Sequence, residues 1–588
     1  MRHTTQTESS EKSLNIIWMI VISVIIGVFA GFGSILFRGM IGLVHNLSFK
    51  GEFSVMFDAY QHAAKSVWGI GFIFVPVIGA VIVCWLTQKF APEARGHGVP
   101  EVMDAIYYRE GKIRPIVALV KSVCSSISIG TGGSVGREGP IIQIGAAFGS
   151  VMGQFVNMAV RQRVALIAAG AAAGIAATFN TPIGGLAFAV ELMLVSVSAV
   201  NVVIVSVATV TATVISRAML GVAPSFFVPS LSLPLTHALS PFLIGTFLPF
   251  GILMGAAAAL FTHTIYWFED QSAVLIKNPY TRHMSGMFVL GVMLYLTLCF
   301  SGHYYVGGVG YSTIMDVLES ALTNPWFLLM LFVLKLLATG LTLGTGASGG
   351  VFSPSLFMGA TLGAAYGGFL AYLFPGLHVS LPLFAVAGMA AMVAGSTGAV
   401  LTAITMTIEQ TRDYADILPI ILSVSIAYVV RVKITTESIY TLKLYRRGFS
   451  LPQGLQAGIA ATKRAKQVMD RRFVVIDDNG VDLWAQQEGS EKLSPYAVVA
   501  SENNILGVIR RDLGYLMADV DVHKLIDTAY CIISENTTWP VMLREMNNQD
   551  VKVVLVSKSS KSNGIADIVG VITQAEIVSA ANQQAKFI

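Results

Sequence analysis

Charge is what this chain has least of. Of its 588 residues only 12% are Asp, Glu, Lys or Arg, against roughly 25% in soluble proteins. With 54% hydrophobic residues and a mean hydropathy of +0.68, a wholly soluble protein is excluded and a multispanning membrane protein with one polar region attached is implied. A net charge of +4 is small for this length and argues against nucleic acid as a partner. Cysteine is scarce too: Cys84, Cys124, Cys299 and Cys531 stand apart without metal-ligand spacing and read as packing residues. Among the apolar segments no His/Asp/Glu cluster, Ser/His pair or phosphate loop occurs. Neither a membrane enzyme nor a metal site is therefore expected, and a cation pathway would want rings of acidic residues that are missing.

What is present is apolar sequence, repeatedly interrupted. Residues 1–13 are polar, and the stretch from Leu14 to about Leu43 exceeds the roughly 7–15 apolar residues of a signal peptide, so it is expected to be a long first membrane helix. Val67 to Phe90 is a second span. Further spans are expected near Asn201–Leu220, Pro241–Trp267 and Met287–Phe300, with a Gly/Ala-rich segment at Val164–Thr178 whose small residues allow close helix packing.

The most informative interruption runs from Gly130 to Pro140 and holds five glycines, a proline and the pair Arg137-Glu138, between apolar segments at Ile116–Ile129 and Ile141–Phe155. A straight spanning helix cannot pass through it. Pro140 suits the first turn of a new helix, and glycines let backbone amides approach a ligand. A helix N-terminus carries unpaired N–H donors and about half a positive charge, so the break is a natural anion site. Irregular backbone survives in a membrane only against protein or a cavity. Glu138 would be a competing anion there, released by protonation; the plainer alternative is a salt bridge to Arg137.

The second half of the chain repeats the first. Lys121–Pro140 aligns without a gap on Lys335–Pro354 at an offset of 335 − 121 = 214, Gly145 falls on Gly359, Ala169-Gly170 matches Ala387-Gly388, and Glu191 matches Glu409 at an offset of 409 − 191 = 218. Paired, Gly/Pro-interrupted apolar segments point to a midplane site between two homologous sets of broken helices. Hydropathy does not tell whether the halves run inverted or parallel.

These residues carry a family resemblance. Gly136-Arg137-Glu138-Gly139-Pro140, Gly350-Val351-Phe352-Ser353-Pro354 and Ser438-Ile439-Tyr440-Thr441 resemble the three signatures of the CLC family of chloride channels and chloride/proton exchangers, and Gly96-His97-Gly98-Val99-Pro100 is an altered fourth. The resemblance spans about Leu14 to Gly448. It implies an all-α polytopic fold of tilted, broken helices in an inverted repeat, and a homodimer with one anion pathway per subunit. It also implies an anion bound by His97, Gly136, Arg137, Gly139, Val351, Phe352 and Tyr440, with Glu138 as the gate.

Two departures bear on mechanism. Exchangers of the family commonly carry a second, inner glutamate; that position falls on Leu192, which holds no proton, and the adjacent Glu191 lies about 100° away around a helix. Its repeat partner Glu409 suggests a shared structural role near a helix end. His97 stands where the family has a serine. Its imidazole, titrating near pH 6.5, could donate to the anion or turn toward water and plug the inner entrance. The missing inner glutamate points to passive, channel-like chloride flux gated by Glu138; the alternative is chloride/proton antiport through His97, Glu191 or water.

Beyond Gly448 hydropathy falls, and residues 449–588 read as a small α/β region resembling a tandem CBS pair, a regulatory module that many CLC proteins carry. Arg431, Lys433, Lys443, Arg446 and Arg447 flank the last span and place this region in the cytoplasm. The expected location is a bacterial inner (plasma) membrane. An adenine nucleotide is conceivable only at Thr573 and Glu576, after Gly570-Val571-Ile572, since Gly507-Val508-Ile509 is followed by Arg510-Arg511-Asp512 instead. The other reading is a pair that only cements the dimer. No other cofactor is expected.

Overall fold

The computed structural model describes residues 13–577 apart from 224, 229–240, 378, 413, 415–416, 450–463, 478–479, 482–493, 502–503, 511–525, 559–564 and 574–575. The expected polar segment 1–13 thus lies almost wholly outside the described residues. The chain forms two compact units, Met1–Arg446 and Arg447–Ile588.

Among the described residues of the first unit, nine helices are long and apolar enough to cross a membrane. The first, Ile16–Lys50, begins on an Asn15 cap and runs past the expected end at Leu43 until Gly51, at φ +69°, returns its N–H to Asn46. The expected second span is broken into a short 3₁₀ turn, Gly69–Phe74, and the helix Val75–Lys89. Helices Pro115–Gly130 and Glu138–Phe155 flank the Gly-rich break, and their repeat partners are Pro325–Thr345 and Phe352–Leu373.

The repeat is visible in packing. A Cβ at Gly145 would stand 2.1 Å from the carbonyl oxygen of Gly170, and one at Gly170 2.1 Å from that of Gly145; in the second half Gly359 and Gly388 meet the same way, at 2.3 and 2.2 Å. Only glycine lets these backbones touch, so the helix pairs Glu138–Phe155 with Val160–Phe179, and Phe352–Leu373 with Leu381–Thr397, are locked at the same two places.

Two buried lysines repeat as well. Lys121 Nζ donates to the carbonyls of Ala94 and Gly96 at 3.0 and 2.6 Å, and Lys335 Nζ to those of Val306 and Gly308 at 3.1 and 3.0 Å. The first loop lies at the end of helix Val75–Lys89 remote from Phe72. The second lies with Phe72, because Tyr304 packs on Phe49 and Phe72 at 5.3 and 4.7 Å and its hydroxyl accepts from Ser66 N–H. Equivalent loops therefore occupy opposite faces of the unit. The halves run inverted, the point that hydropathy left undecided.

Glu191 and Glu409 share a structural role. Glu191 accepts from the N–H groups of Leu401 and Thr402 at 2.6 and 2.7 Å and from the Thr402 hydroxyl at 2.6 Å, at the start of helix Val400–Thr411. Glu409 accepts from Ile183 and Gly184 N–H at 3.1 and 2.7 Å, at the start of Pro182–Phe188. Each half caps a helix of the other with a carboxylate, satisfying amides that lipid could not. A π turn, Ala189–Met193, provides the local rearrangement that brings Glu191 to its partners.

The second unit holds one plan twice. Strands β1 (Phe473–Ile476), β2 (Tyr496–Ser501) and β3 (Asn504–Arg510) form a sheet in which β1 and β2 are parallel and β2 and β3 antiparallel. Strands β4 (Tyr530–Ser534), β5 (Val553–Ser557) and β6 (Ile568–Thr573) pair in the same order and sense, with helix Trp539–Gln549 leading from β4 to β5. The continuous apolar runs Tyr496–Ala500 and Val553–Val556 are buried, and Val498, Val571 and Leu555 lie in one core.

Loss of a reciprocal cap should be measurable. Glu409→Ala is expected to destabilise the membrane unit by about 1–2 kcal/mol, the usual worth of a helix cap, read as a lower thermal midpoint in detergent. Glu409→Gln, which keeps an acceptor oxygen, should lose less.

Candidate functional site

Three glycine-containing loops converge where the repeats meet. Gly136 and Gly350 exchange backbone hydrogen bonds at 2.7 and 2.6 Å, while Gly96 N–H donates to Ala347 and Gly349 N–H to Gly96 at 3.0 and 3.2 Å. A Cβ at Gly139 would lie 2.2 Å from the carbonyl oxygen of His97, and one at Gly136 2.1 Å from the Glu138 carboxylate. The glycines of the break thus bring three chain segments into van der Waals contact, and the two broken helices start from this junction.

Glu138 opens helix Glu138–Phe155 and is 1% exposed. Its carboxylate accepts from the Tyr311 hydroxyl at 2.6 Å, from the Ser353 N–H at 3.2 Å and from the Ser353 hydroxyl. Ser353 lies in the first turn of Phe352–Leu373, so the carboxylate of one half sits on the positive end of a helix of the other. Val351 and Phe352 are buried at that N-terminus. The Arg137 guanidinium lies over the Tyr311 ring at 5.1 Å, and the carboxylate is taken by hydroxyls rather than by this neighbour.

His97 and Tyr440 come together on the other flank. Their rings are 5.8 Å apart, and both side chains are buried. His97 Nε2 is 3.5 Å from the hydroxyl of Tyr266, which donates to the Ile439 carbonyl at 2.7 Å and so ties the Tyr440 loop to helix Pro241–Leu275. Lys121, holding the carbonyls on either side of Arg95, fixes the loop from which His97 projects. Tyr440 is within electrostatic reach of Glu138. His97 and Tyr440 thus lie together, and the loops carrying His97, Gly136, Gly139 and Gly350 meet at one junction.

Arg137 also reaches a second feature, a cavity of about 70 Å³ lined by Arg38, His45, His62, Arg137, Tyr304 and Tyr305, on the face that carries the loops 51–68 and 302–310. In the second unit the Glu576 carboxylate accepts from Thr573 N–H at 2.8 Å, from the Thr573 hydroxyl at 2.6 Å and from the Tyr496 hydroxyl at 2.6 Å. Burial together with this carboxylate pushes the Tyr496 phenol up to about 12, so it remains a donor at neutral pH. Arg511 and Asp512, named with the first Gly-Val-Ile unit, lie outside the described residues.

Tyr311, Tyr266 and the hydroxyl of Ser353 were not singled out from the sequence. The repeat contained the signal for Tyr311: Gly96-His97-Gly98 has a counterpart in Gly308-Val309-Gly310 at an offset of 308 − 96 = 212, each carried by a buried lysine. Tyr311 follows that counterpart directly, and Gly310 at φ +78° turns the chain into its helix, Tyr311–Leu318. Nothing in the sequence marks Tyr266, which lies in an apolar helix outside every signature.

Residues 79–431 match the family model described as voltage gated chloride channel. The H(+)/Cl(-) exchange transporter ClcA of Vibrio cholerae is 31% identical over 379 residues, 62% of this chain and 77% of that protein. The ClcA of Citrobacter koseri is 30% identical over 69% of this chain and 83% of its own length. Of solved structures, a slow cyanobacterial Cl−/H+ antiporter superposes with a TM-score of 0.61 at 26% identity, covering 74% of this chain and 99% of the antiporter. A eukaryotic CLC transporter shares the fold at 0.60 and 17% identity, over 95% and 98%. The relatives' names fit antiport better than the passive flux to which Leu192 points. With its signature loops meeting at one buried junction and the model matching 60% of its length, this chain belongs to the CLC family.

Proposed function

We propose that this protein exchanges chloride for protons across a bacterial plasma membrane, with the Glu138 carboxylate serving both as the anion gate and as the proton carrier. The supporting observation is that this carboxylate rests on the N-terminus of Phe352–Leu373, accepting Ser353 N–H. An anion and an ionised Glu138 compete for the same positive helix end, so the anion gains the position when Glu138 is protonated and leaves. Chloride and proton coupling are taken from the relatives named above. As the family resemblance implies, each subunit of a homodimer would carry its own pathway.

The inner proton route is the part this chain must build differently. Leu192 cannot relay a proton, and Glu191 would have to break three hydrogen bonds to do so. His97 stands beside Tyr440 and Tyr266, and we assign it the inner role, with water as its link to the cytoplasm. The second reading, passive chloride conduction, follows from the absent inner glutamate alone.

We read the second unit as a cytoplasmic CBS pair that strengthens the dimer. The repeated three-stranded plan supports this. A nucleotide seeking Thr573 and Glu576 would have to displace bonds these residues already make with each other and with Tyr496.

In liposomes an outward chloride gradient is expected to drive protons uphill; brisk chloride loss without proton movement would establish the passive reading instead. Glu138→Gln should abolish proton movement and leave chloride flux independent of pH. His97→Ser should lower the ratio of protons to chlorides, whereas Glu191→Gln should lower stability and leave that ratio intact. For the full-length protein, ATP or AMP at about 1 mM is expected to leave the thermal midpoint within error, since RT ln(1 + [L]/Kd) vanishes for a weak ligand.

A further inference from the structure

The Glu138 side chain is buried at a point where its neighbours are mostly uncharged. Tyr311 and Ser353 present two hydroxyls that also contact each other, Tyr311 Oη to Ser353 Oγ at 2.8 Å. Both touch the same carboxylate oxygen, while the Ser353 N–H takes the other. All three donors have no exposed atom to compete for water: Tyr311 and Ser353 are each 0% exposed.

Tyr311 is held for this geometry from every side. Its ring stacks on Tyr60 at 5.5 Å and meets Phe226 edge-on at 5.4 Å, with the Arg137 guanidinium over it. The loop before it is anchored by Lys335, and a side chain at Gly310 would collide with Phe357 at 2.6 Å. A phenol so fixed loses little freedom when it donates, and so contributes most of the strength of a charge-assisted hydrogen bond.

We infer that Tyr311 and Ser353 form a two-hydroxyl latch that holds the ionised Glu138 carboxylate in the closed position and thereby sets the proton concentration at which the gate opens. This rests on the reading of Glu138 as the gate. Hydroxyl donors favour the ionised form, because a carboxylate accepts at both oxygens and is charged, whereas a carboxylic acid gives up an acceptor position to its own proton and accepts more weakly. The other charged or titratable groups that face the pair are Arg137, Arg38, Lys335, Tyr60 and Tyr440. The cations among them act in the same direction as the hydroxyls and are present unaltered in every variant below. Tyr311 and Ser353 are positioning residues here: they act on transport through Glu138.

The test is chloride efflux from liposomes as a function of pH, for the full chain. Tyr311→Phe, which keeps the ring and its stacking, is expected to move the pH of half-maximal flux upward by about one unit, the typical effect of removing one hydrogen bond to a charged group. Ser353→Ala, which keeps the backbone N–H, should shift it in the same direction. In a Glu138→Gln background neither substitution should change a profile that is already flat. Unshifted profiles in both single variants, beside a flat Glu138→Gln profile, overturn the latch and leave the gate standing. A shift that persists in the Glu138→Gln background overturns it too, since the hydroxyls would then act elsewhere. A Glu138→Gln protein with the unmodified protein's pH profile removes the gate itself, and the latch with it. If Tyr311→Phe does not fold, Ser353→Ala alone decides.

Discussion

A carboxylate buried without a salt bridge in the membrane interior must find donors or lose its charge. Here the donors are the first turn of a helix and two hydroxyls, and the membrane unit is arranged so that they reach Glu138. Gly136 and Gly350 draw the two broken loops together, Gly139 admits the His97 carbonyl, and Lys335 steadies the segment that delivers Tyr311. The same donors that hold the carboxylate are those an anion would need. On the proposed reading, an anion and the carboxylate would compete for one positive site.

The inverted repeat supplies this economy of parts. Each half contributes a glycine-seamed helix pair, a buried lysine that ties down a loop, and a glutamate that caps a helix of the other half. The symmetry ends at the junction, where one half presents a carboxylate and the other the amides that receive it. An anion transporter of the CLC family needs that asymmetry, since two carboxylates or two empty helix ends would leave nothing to gate. Glu191 illustrates the division: next to Leu192 in sequence, it belongs to the scaffold and not to the anion path.

Leu192, at the position of the inner glutamate, distinguishes this chain from a family pattern with two glutamates. His97 is rigidly flanked by Tyr440 and by Tyr266, whose hydroxyl is committed to the Ile439 carbonyl. On the proposed reading, a titratable ring placed there would couple the anion's inner neighbour to the proton supply.

Hydropathy, the interrupted segments and the 214-residue repeat were enough, from sequence, to give the membrane class and the position of the breaks, while the residues expected to hold the anion came from the family resemblance. These depend on residue types that only a few backbone geometries accept: glycine where carbonyls stand about 2 Å from a would-be Cβ, proline in a first turn, and glutamate at a matching place in each half. Their spacing is local, so it can be read along the chain. The inverted sense of the repeat, the partners of Glu138 and the capping roles of Glu191 and Glu409 were settled only by tertiary structure. Each depends on contacts between residues some 170 to 255 positions apart, such as Tyr311 with Glu138, Glu409 with Ile183 and Tyr304 with Phe49, and nothing in the spacing along one segment specifies which distant segment will face it.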